Sequence, residues 1–217
     1  MSIKLNAQSG GSVALDAPTQ TTGSADNLYK LPIADGSAGQ VLTTDGFGNL
    51  SWANDKGKIL QVVSVSKTDA FSATSTSTAQ DVTGLTINIT PTSSSNKLLI
   101  HVHVSCTASN SYGGHALLLA KVDSGTTTYP FRGDATGSST RATFPVGGFP
   151  DANYGYPDLL SGSFFDTAGS TNAITYKIQH IDESTNNTIY INREYHGTGG
   201  AGQTITTSGI TIMEVSA

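Results

Sequence analysis

Hydrophobic and polar positions divide the chain into two unlike parts. From Lys58 onward, apolar residues recur at every second position in short runs. Ile59, Val63 and Val65 share one parity, and Leu85, Ile87 and Ile89 alternate with Thr86, Asn88 and Thr90. The same period runs through Leu98 to Cys106, Ile174-Tyr176-Ile178, Ile189-Ile191 and Ile210-Ile212. A period of two in β-branched runs bounded by Gly, Pro, Asn or Ser predicts strands. About eight such strands predict two packed sheets, a β-sandwich or jelly roll rather than a barrel. His115 to Lys121 (HALLLAK) is the one helix-like run, and at seven residues it is too short to hold a helix, so a strand is expected there. Cys106 shares strand parity with Leu98, Ile100, Val102 and Val104, which predicts a buried apolar filler rather than a reactive thiol.

Before Lys58 the pattern thins out. Ile3 with Leu5 and Val13 with Leu15 form two short extended pieces, each with one apolar edge, followed by the hinge-like Pro-Thr-Gln-Thr-Thr-Gly-Ser. These four residues are candidates for docking onto a larger protein by strand addition, against the plainer reading of a frayed terminus. Between Leu31 and Ala53, Leu31, Ile33, Val41, Leu42, Leu50 and Trp52 stand singly or in pairs among turn-forming Asp-Gly and Gly-Asn clusters. So little apolar surface does not offset the entropy of ordering the segment, so neighbours are expected. Glycine is not at every third position and no apolar heptad runs through residues 1–57, which excludes collagen and a coiled coil. The expected organisation is an extension over residues 1–57 and an all-β domain over 58–217.

Composition narrows the function classes. Charged residues are only 12% of the 217, and eleven Lys and Arg against sixteen Asp and Glu leave a net charge of −5. No basic patch is available to neutralise phosphates, so nucleic acid is not an expected partner. The single cysteine permits no intrachain disulfide and points to synthesis in a reducing compartment. The N-terminus has no apolar run long enough for a secretion signal or membrane span, so release by lysis is expected if the protein works outside a cell.

Catalytic patterns are thin. Glu occurs only at 183, 194 and 214, which leaves little for the paired carboxylates of a glycosidase. No Gly-x-Ser-x-Gly elbow occurs, and Gly197 to Gly202 lacks the Lys and following helix of a phosphate loop. No catalytic residue and no cofactor is assigned. His101 and His103, at i and i+2 of a strand, project from one face and form a weak metal candidate; two hydrogen-bonded histidines on a sheet or subunit face are the plainer reading. The stretch from Tyr129 to Pro157 is the best ligand-binding candidate, because Tyr129, Phe149, Tyr154 and Tyr156 are interleaved with Arg132, Asp151 and Asn153. Aromatic faces backed by Asp, Asn and Arg suit sugar rings, whereas the competing reading has the aromatics closing the ends of the sandwich.

The ordered run Pro32, Asp35-Gly36, Gly39-Gln40, Asp45-Gly46 and Trp52 within LPIADGSAGQVLTTDGFGNLSWA resembles a segment of tailed-bacteriophage fibre proteins, especially those of marine and cyanobacterial phages. There it precedes a shaft repeat or a terminal knob. Residues 173–178, 188–193 and 210–215 are similar, more loosely, to the last strands of the jelly-roll domain that closes many such fibres. The resemblance implies a homotrimeric fibre or spike subunit, made in the host cytoplasm and carried on the virion. Residues 1–57 would attach to another virion protein and form a short intertwined shaft, with Leu31, Ile33, Val41, Leu42, Leu50 and Trp52 as shared apolar columns. The jelly-roll knob would adhere to host lipopolysaccharide or another surface polysaccharide, without membrane insertion. A non-adhesive head-fibre, collar or baseplate decoration is the alternative, and a glycan depolymerase a second.

Overall fold

The structure is a computed structural model that describes residues 3–6 and 12–15 as backbone, and 28–54, 58–109, 114–147, 155–182, 187–195 and 204–217 in full, the side chain of Asn54 excepted. It separates into two compact units, Met1–Lys56 and Gly57–Ala217. Among the described residues every regular element is a strand: β1 (Ile3–Asn6), β2 (Ser12–Leu15), β3 (Gln40–Thr44), β4 (Leu50–Asn54), β5 (Ile59–Lys67), β6 (Phe71–Thr74), β7 (Gln80–Ile89), β8 (Lys97–Ala108), β9 (His115–Asp123), β10 (Thr126–Thr128), β11 (Phe144–Pro145), β12 (Asp158–Thr167), β13 (Ile174–Asp182), β14 (Thr188–Ile191) and β15 (Ser208–Val215). The all-β expectation is met, and the helix-like HALLLAK run is strand β9.

The second unit is a jelly roll by its own pairing. Its strands couple as nested antiparallel pairs: β9 with β11 innermost, then β8 with β12, β7 with β13, and β5 with β15 outermost. Pairing of β15 with β8 and of β13 with β9 then knits them into two four-stranded sheets, β5-β15-β8-β12 and β7-β13-β9-β11. β10 hairpins back on β9 through Ser124 and Gly125, both at positive φ as a two-residue turn of this kind requires. β6 and β14 form a ribbon that continues the far end of β8. Of the three segments expected to close the jelly roll, β13 and β15 belong to the nested set, whereas β14 is an addition between them.

Alternation supplies the core. Leu98, Ile100, Val102, Val104 and Cys106 of β8, flanked by Ile210 and Ile212 of β15, face Val82, Leu85, Ile87 and Ile89 of β7, Leu117 and Leu119 of β9, and Ile174, Tyr176 and Ile178 of β13, all buried in one cluster. Gly162 interrupts β12 because the Phe164 and Phe144 rings take the room of a side chain; a Cβ there would lie 2.9 Å from Phe164 Cζ. Asp166 ties the sheets together, accepting from the Tyr176 hydroxyl at 2.6 Å and from Lys121 Nζ at 2.7 Å. Burial, with the Asp166 charge added, pushes the Tyr176 hydroxyl well above its ordinary range, so it stays a donor.

Two buried histidines make stability depend on pH near neutrality. His115 Nε2 lies 3.4 Å from Asp182 Oδ2, and neither ring nitrogen of His115 has a hydrogen-bond partner among the described residues. His180 Nδ1 shares a hydrogen bond of 2.8 Å with Ser75 Oγ. Burial lowers the pKa of His115 against the opposing pull of Asp182. It lowers that of His180 too, with His115 adding to the effect and Asp81 opposing it. A histidine whose pKa falls on folding leaves the unfolded chain binding more protons, so stability is full above the ordinary value of 6.5 and declines as pH drops below it. The urea midpoint of this domain is therefore expected to be lower at pH 5.5 than at pH 7.5.

Candidate interaction surfaces

In the first unit, the stretch over residues 28–54 is a folded object built by its turn residues. β3 and β4 pair from Gln40↔Asn54 to Thr44↔Leu50. Asp45 closes the hairpin: its Oδ1 accepts from Phe47 N at 2.8 Å and Asn49 N at 3.2 Å, and its Oδ2 from Asn49 Nδ2 at 2.6 Å. The Asn49 side chain, followed by the Phe47 amide, holds the Asp45 carboxyl below its usual range. Lys30 runs beside β4, donating from N to Gly48 O and accepting at O from Leu50 N, each at 2.8 Å. Gly48 has φ +88, and a Cβ there would overlap the Leu28 carbonyl oxygen. Trp52 Nε1 donates to Ala34 O at 2.9 Å, folding the LPIADG arm over the hairpin.

Gly36 lies against the Trp52 ring, where a Cβ would come within 2.6 Å of Cδ2. Gly36→Ala is expected to displace the indole and break its bond to Ala34, at a cost of about 1–3 kcal/mol. Because Trp52 is the only tryptophan, a red-shifted emission spectrum checks this directly.

This polar framework leaves the apolar residues outward. Leu31, Ile33, Val41, Leu42 and Trp52 are exposed, as are Leu28, Tyr29 and Phe47, the last 91% exposed. Leu50 is half-buried. Leu31, Ile33, Leu50 and Trp52 border an open groove of about 480 Å³. Of the four attachment candidates, Ile3 stands opposite Leu15 and Leu5 opposite Val13 in the β1–β2 ribbon.

In the second unit, Phe149, Asp151, Asn153 and Tyr154 lie outside the described residues. Tyr129 bonds to the sheet beneath it and carries Arg132 on its ring. The Tyr129 hydroxyl donates to Gln179 Oε1 at 2.7 Å, and the Arg132 guanidinium sits 5.2 Å above the Tyr129 ring. Gln179 Nε2 in turn donates to Asp81 Oδ1 at 2.6 Å, and Lys177 Nζ to Asp81 Oδ2 at 2.9 Å. Burial works against the Asp81 charge, but the Lys177 and Gln179 hydrogen bonds outweigh it and lower its pKa. Tyr156 is exposed beside the start of β12, away from that network.

His101 and His103 lie on the outward side of the β5-β15-β8-β12 sheet, ring centroids 6.4 Å apart. His101 Nδ1 is engaged with Ser163 Oγ at 3.0 Å. Among the described residues, no three His, Cys, Asp or Glu side chains gather in a way that would hold a metal ion. Register instead aligns these histidines in rows that cross all four strands. Leu99 stands between Phe165 and Met213, with Val62 beyond, in an apolar row. His101 stands between Ser163 and Thr211, with Ser64 beyond, and Ser64 Oγ lies 2.9 Å from Thr211 Oγ1. His103 stands between Ser161 and Gly209, with Ser66 beyond. Its ring occupies the space over Gly209, where a Cβ would lie 2.8 Å from His103 Cε1. Past this row, His103, Ser105, Pro157, Leu159, Ile205 and Thr207 line a groove of about 530 Å³. Sequence reasoning missed Leu159, Ile205 and the apolar row, since a row exists only once β5, β8, β12 and β15 are in register.

No protein-family model matches the chain, and no curated protein matches it. Among solved structures it is similar to structures of infectious bursal disease virus. The Gx strain overlaps at 12% identity and TM-score 0.35 over 77% of this chain, the VP2 subviral particle at 14% and 0.36 over 76%, and the Gt strain at 12% and 0.38 over 77%. The chain spans 44% of the length of each of those chains. Overlaps this loose carry no argument about fold or role; the nested strand pairing above carries the fold.

Proposed function

We propose that this chain is a structural subunit of an external appendage of a tailed-bacteriophage particle, with a jelly-roll knob that adheres to a host surface polysaccharide. The observation that carries the reading is the motif at residues 31–53. Its turn residues fold a hairpin whose apolar side chains, Leu31, Ile33, Val41, Leu42 and Phe47 among them, remain in solvent. An isolated two-stranded ribbon is marginally stable in water, and exposed apolar surface of this density calls for further chains. Three copies joined through these residues form the short shaft, and the β1–β2 ribbon docks onto another virion protein. Several knobs on one shaft convert weak single contacts into firm adhesion through effective concentration. The role needs no catalysis.

The engagement of the Tyr129 hydroxyl by Gln179, with Arg132 stacked on the Tyr129 ring, favours a second reading, a non-adhesive decoration, because it takes up the hydroxyl and one ring face that a sugar would use. The two are separated by exposing purified full-length protein to a panel of bacterial lipopolysaccharides and capsular polysaccharides. Saturable binding to one of them is expected. Binding to none, with virions lacking the protein still adsorbing normally, leaves the decoration reading, and release of free sugar establishes a depolymerase instead.

A further inference from the structure

We propose that the outward face of the β5-β15-β8-β12 sheet is the surface on which the knob of one copy of this chain packs against that of another. Among the described residues of the second unit, the large apolar side chains left strongly exposed are Ile59, Val62, Tyr156, Leu159, Phe165 and Ile205. All six belong to β5, β12 or the segments leading into β12 and β15. The opposite sheet carries none of them, and its outer side is dressed by the Tyr129–Gln179–Asp81–Lys177 network. Apolar exposure confined to one face marks a surface that another molecule covers.

Charge decides which molecule. The chain carries a net charge of −5, so copies repel one another wherever acids face outward. The outward positions of these four strands hold Lys97 at one end and no Asp or Glu. Here two copies approach without a charge penalty, while a strongly acidic or basic partner would find no counter-charge in the centre of the face. Geometry points the same way. Rotation about an axis along the strands keeps every row at its own height. The Phe165–Leu99–Met213–Val62 row then meets its counterpart, and the serine, threonine and imidazole groups of the next two rows meet groups that both donate and accept. Four strands about 4.8 Å apart and about nine residues long present roughly 600 Å² in projection. That approaches the ~800 Å² each partner contributes to a standard interface.

This inference deepens the proposed assembly of copies but does not rest on adhesion, since it is read on the purified full-length chain. Sedimentation gives the mass, and hydroxyl-radical footprinting reads the face. Phe165 and Met213 are expected to be oxidised several-fold more slowly in the multimer than in monomer obtained by dilution or by Thr211→Glu, with Tyr129 unchanged. Thr211→Glu is expected to weaken association about tenfold or more, and Thr86→Glu on the outer side of the other sheet to leave it unaltered. A chain that is monomeric at every concentration overturns the proposal. So does a multimer in which Phe165 and Met213 react as in the monomer, an outcome that would leave assembly through residues 1–57 standing.

Discussion

Replacing Glu214 with alanine is expected to destabilise the second unit by about 3 kcal/mol, because a buried carboxylate there organises three separate pieces of chain. Glu214 lies on the inward side of β15 and is fully buried. Its Oε1 accepts from Thr92 N at 2.7 Å, Thr92 Oγ1 at 2.9 Å and Asn96 Nδ2 at 2.6 Å, and its Oε2 accepts from Gln61 Nε2 at 2.5 Å. Asn96 Oδ1 accepts in turn from Ala217 N at 3.2 Å, so the C-terminus is fixed through the same group. Alanine leaves these donors without an acceptor in a place water does not reach. For a domain of this size the loss lowers the melting temperature by roughly 6–12 °C. Far-UV circular dichroism reads it, and a loss below about 1 kcal/mol would show that the donors find water instead.

The same residue sets the acid limb. Burial alone would raise the pKa of Glu214, but the hydrogen bonds from Asn96, Gln61 and Thr92 outweigh it and hold the group at about 2. A carboxylate depressed on folding gives stability that is full above its ordinary value of 4.5 and is lost as pH falls toward 2. Glu214→Gln keeps the shape and removes that titration. Its unfolding midpoint should therefore decline less steeply between pH 4.5 and 2 than that of the wild type, even if it starts lower.

What the sequence made legible follows from which contacts are local. Strands β7, β8, β13 and β15 have one buried and one wetter face, so their alternation shows in single runs such as Leu85-Ile87-Ile89. β12 escaped because Leu159 and Phe165 face outward while Leu160 and Phe164 face in, and Gly162 breaks the run; apolar residues on both parities erase the period. Ile189 and Ile191 alternate as well as any, yet β14 lies outside the nested pairs, since pairing partners are set by distant strands. The motif glycines were visible as turn formers. That Gly36 makes room for Trp52, sixteen positions on, was not, because it depends on how the arm folds back. Tyr129 and Arg132 were chosen as residue types suited to a sugar, but a residue type does not reveal that the Tyr129 hydroxyl donates to Gln179 and that the Arg132 guanidinium stacks on the Tyr129 ring.

Asn192→Ala is expected to have an effect of similar size, about 3–4 kcal/mol, and to reach the groove beside His103 as well. Asn192 is fully buried with φ 62, in the left-handed region, where asparagine is tolerated and alanine is strained. Its Nδ2 donates to Lys67 O at 2.9 Å and Asp69 O at 3.1 Å, and its Oδ1 accepts from Ser208 Oγ at 2.6 Å. Ser208 Oγ accepts from Ser105 N at 3.0 Å, so one side chain joins the end of β5, the middle of β8 and the start of β15. Asn192 O also accepts from Thr206 N at 3.0 Å, which fixes the segment carrying Ile205 along the groove. Asn192→Gly relieves the backbone strain without restoring the hydrogen bonds, so it should recover only about 1 kcal/mol. Because Asn192 and Ser208 act in one chain of bonds, Ser208→Ala combined with Asn192→Ala should cost less than the two changes summed. Urea unfolding of the single and double variants gives that coupling. Full additivity would mean that the two side chains hold the β5, β8 and β15 ends independently.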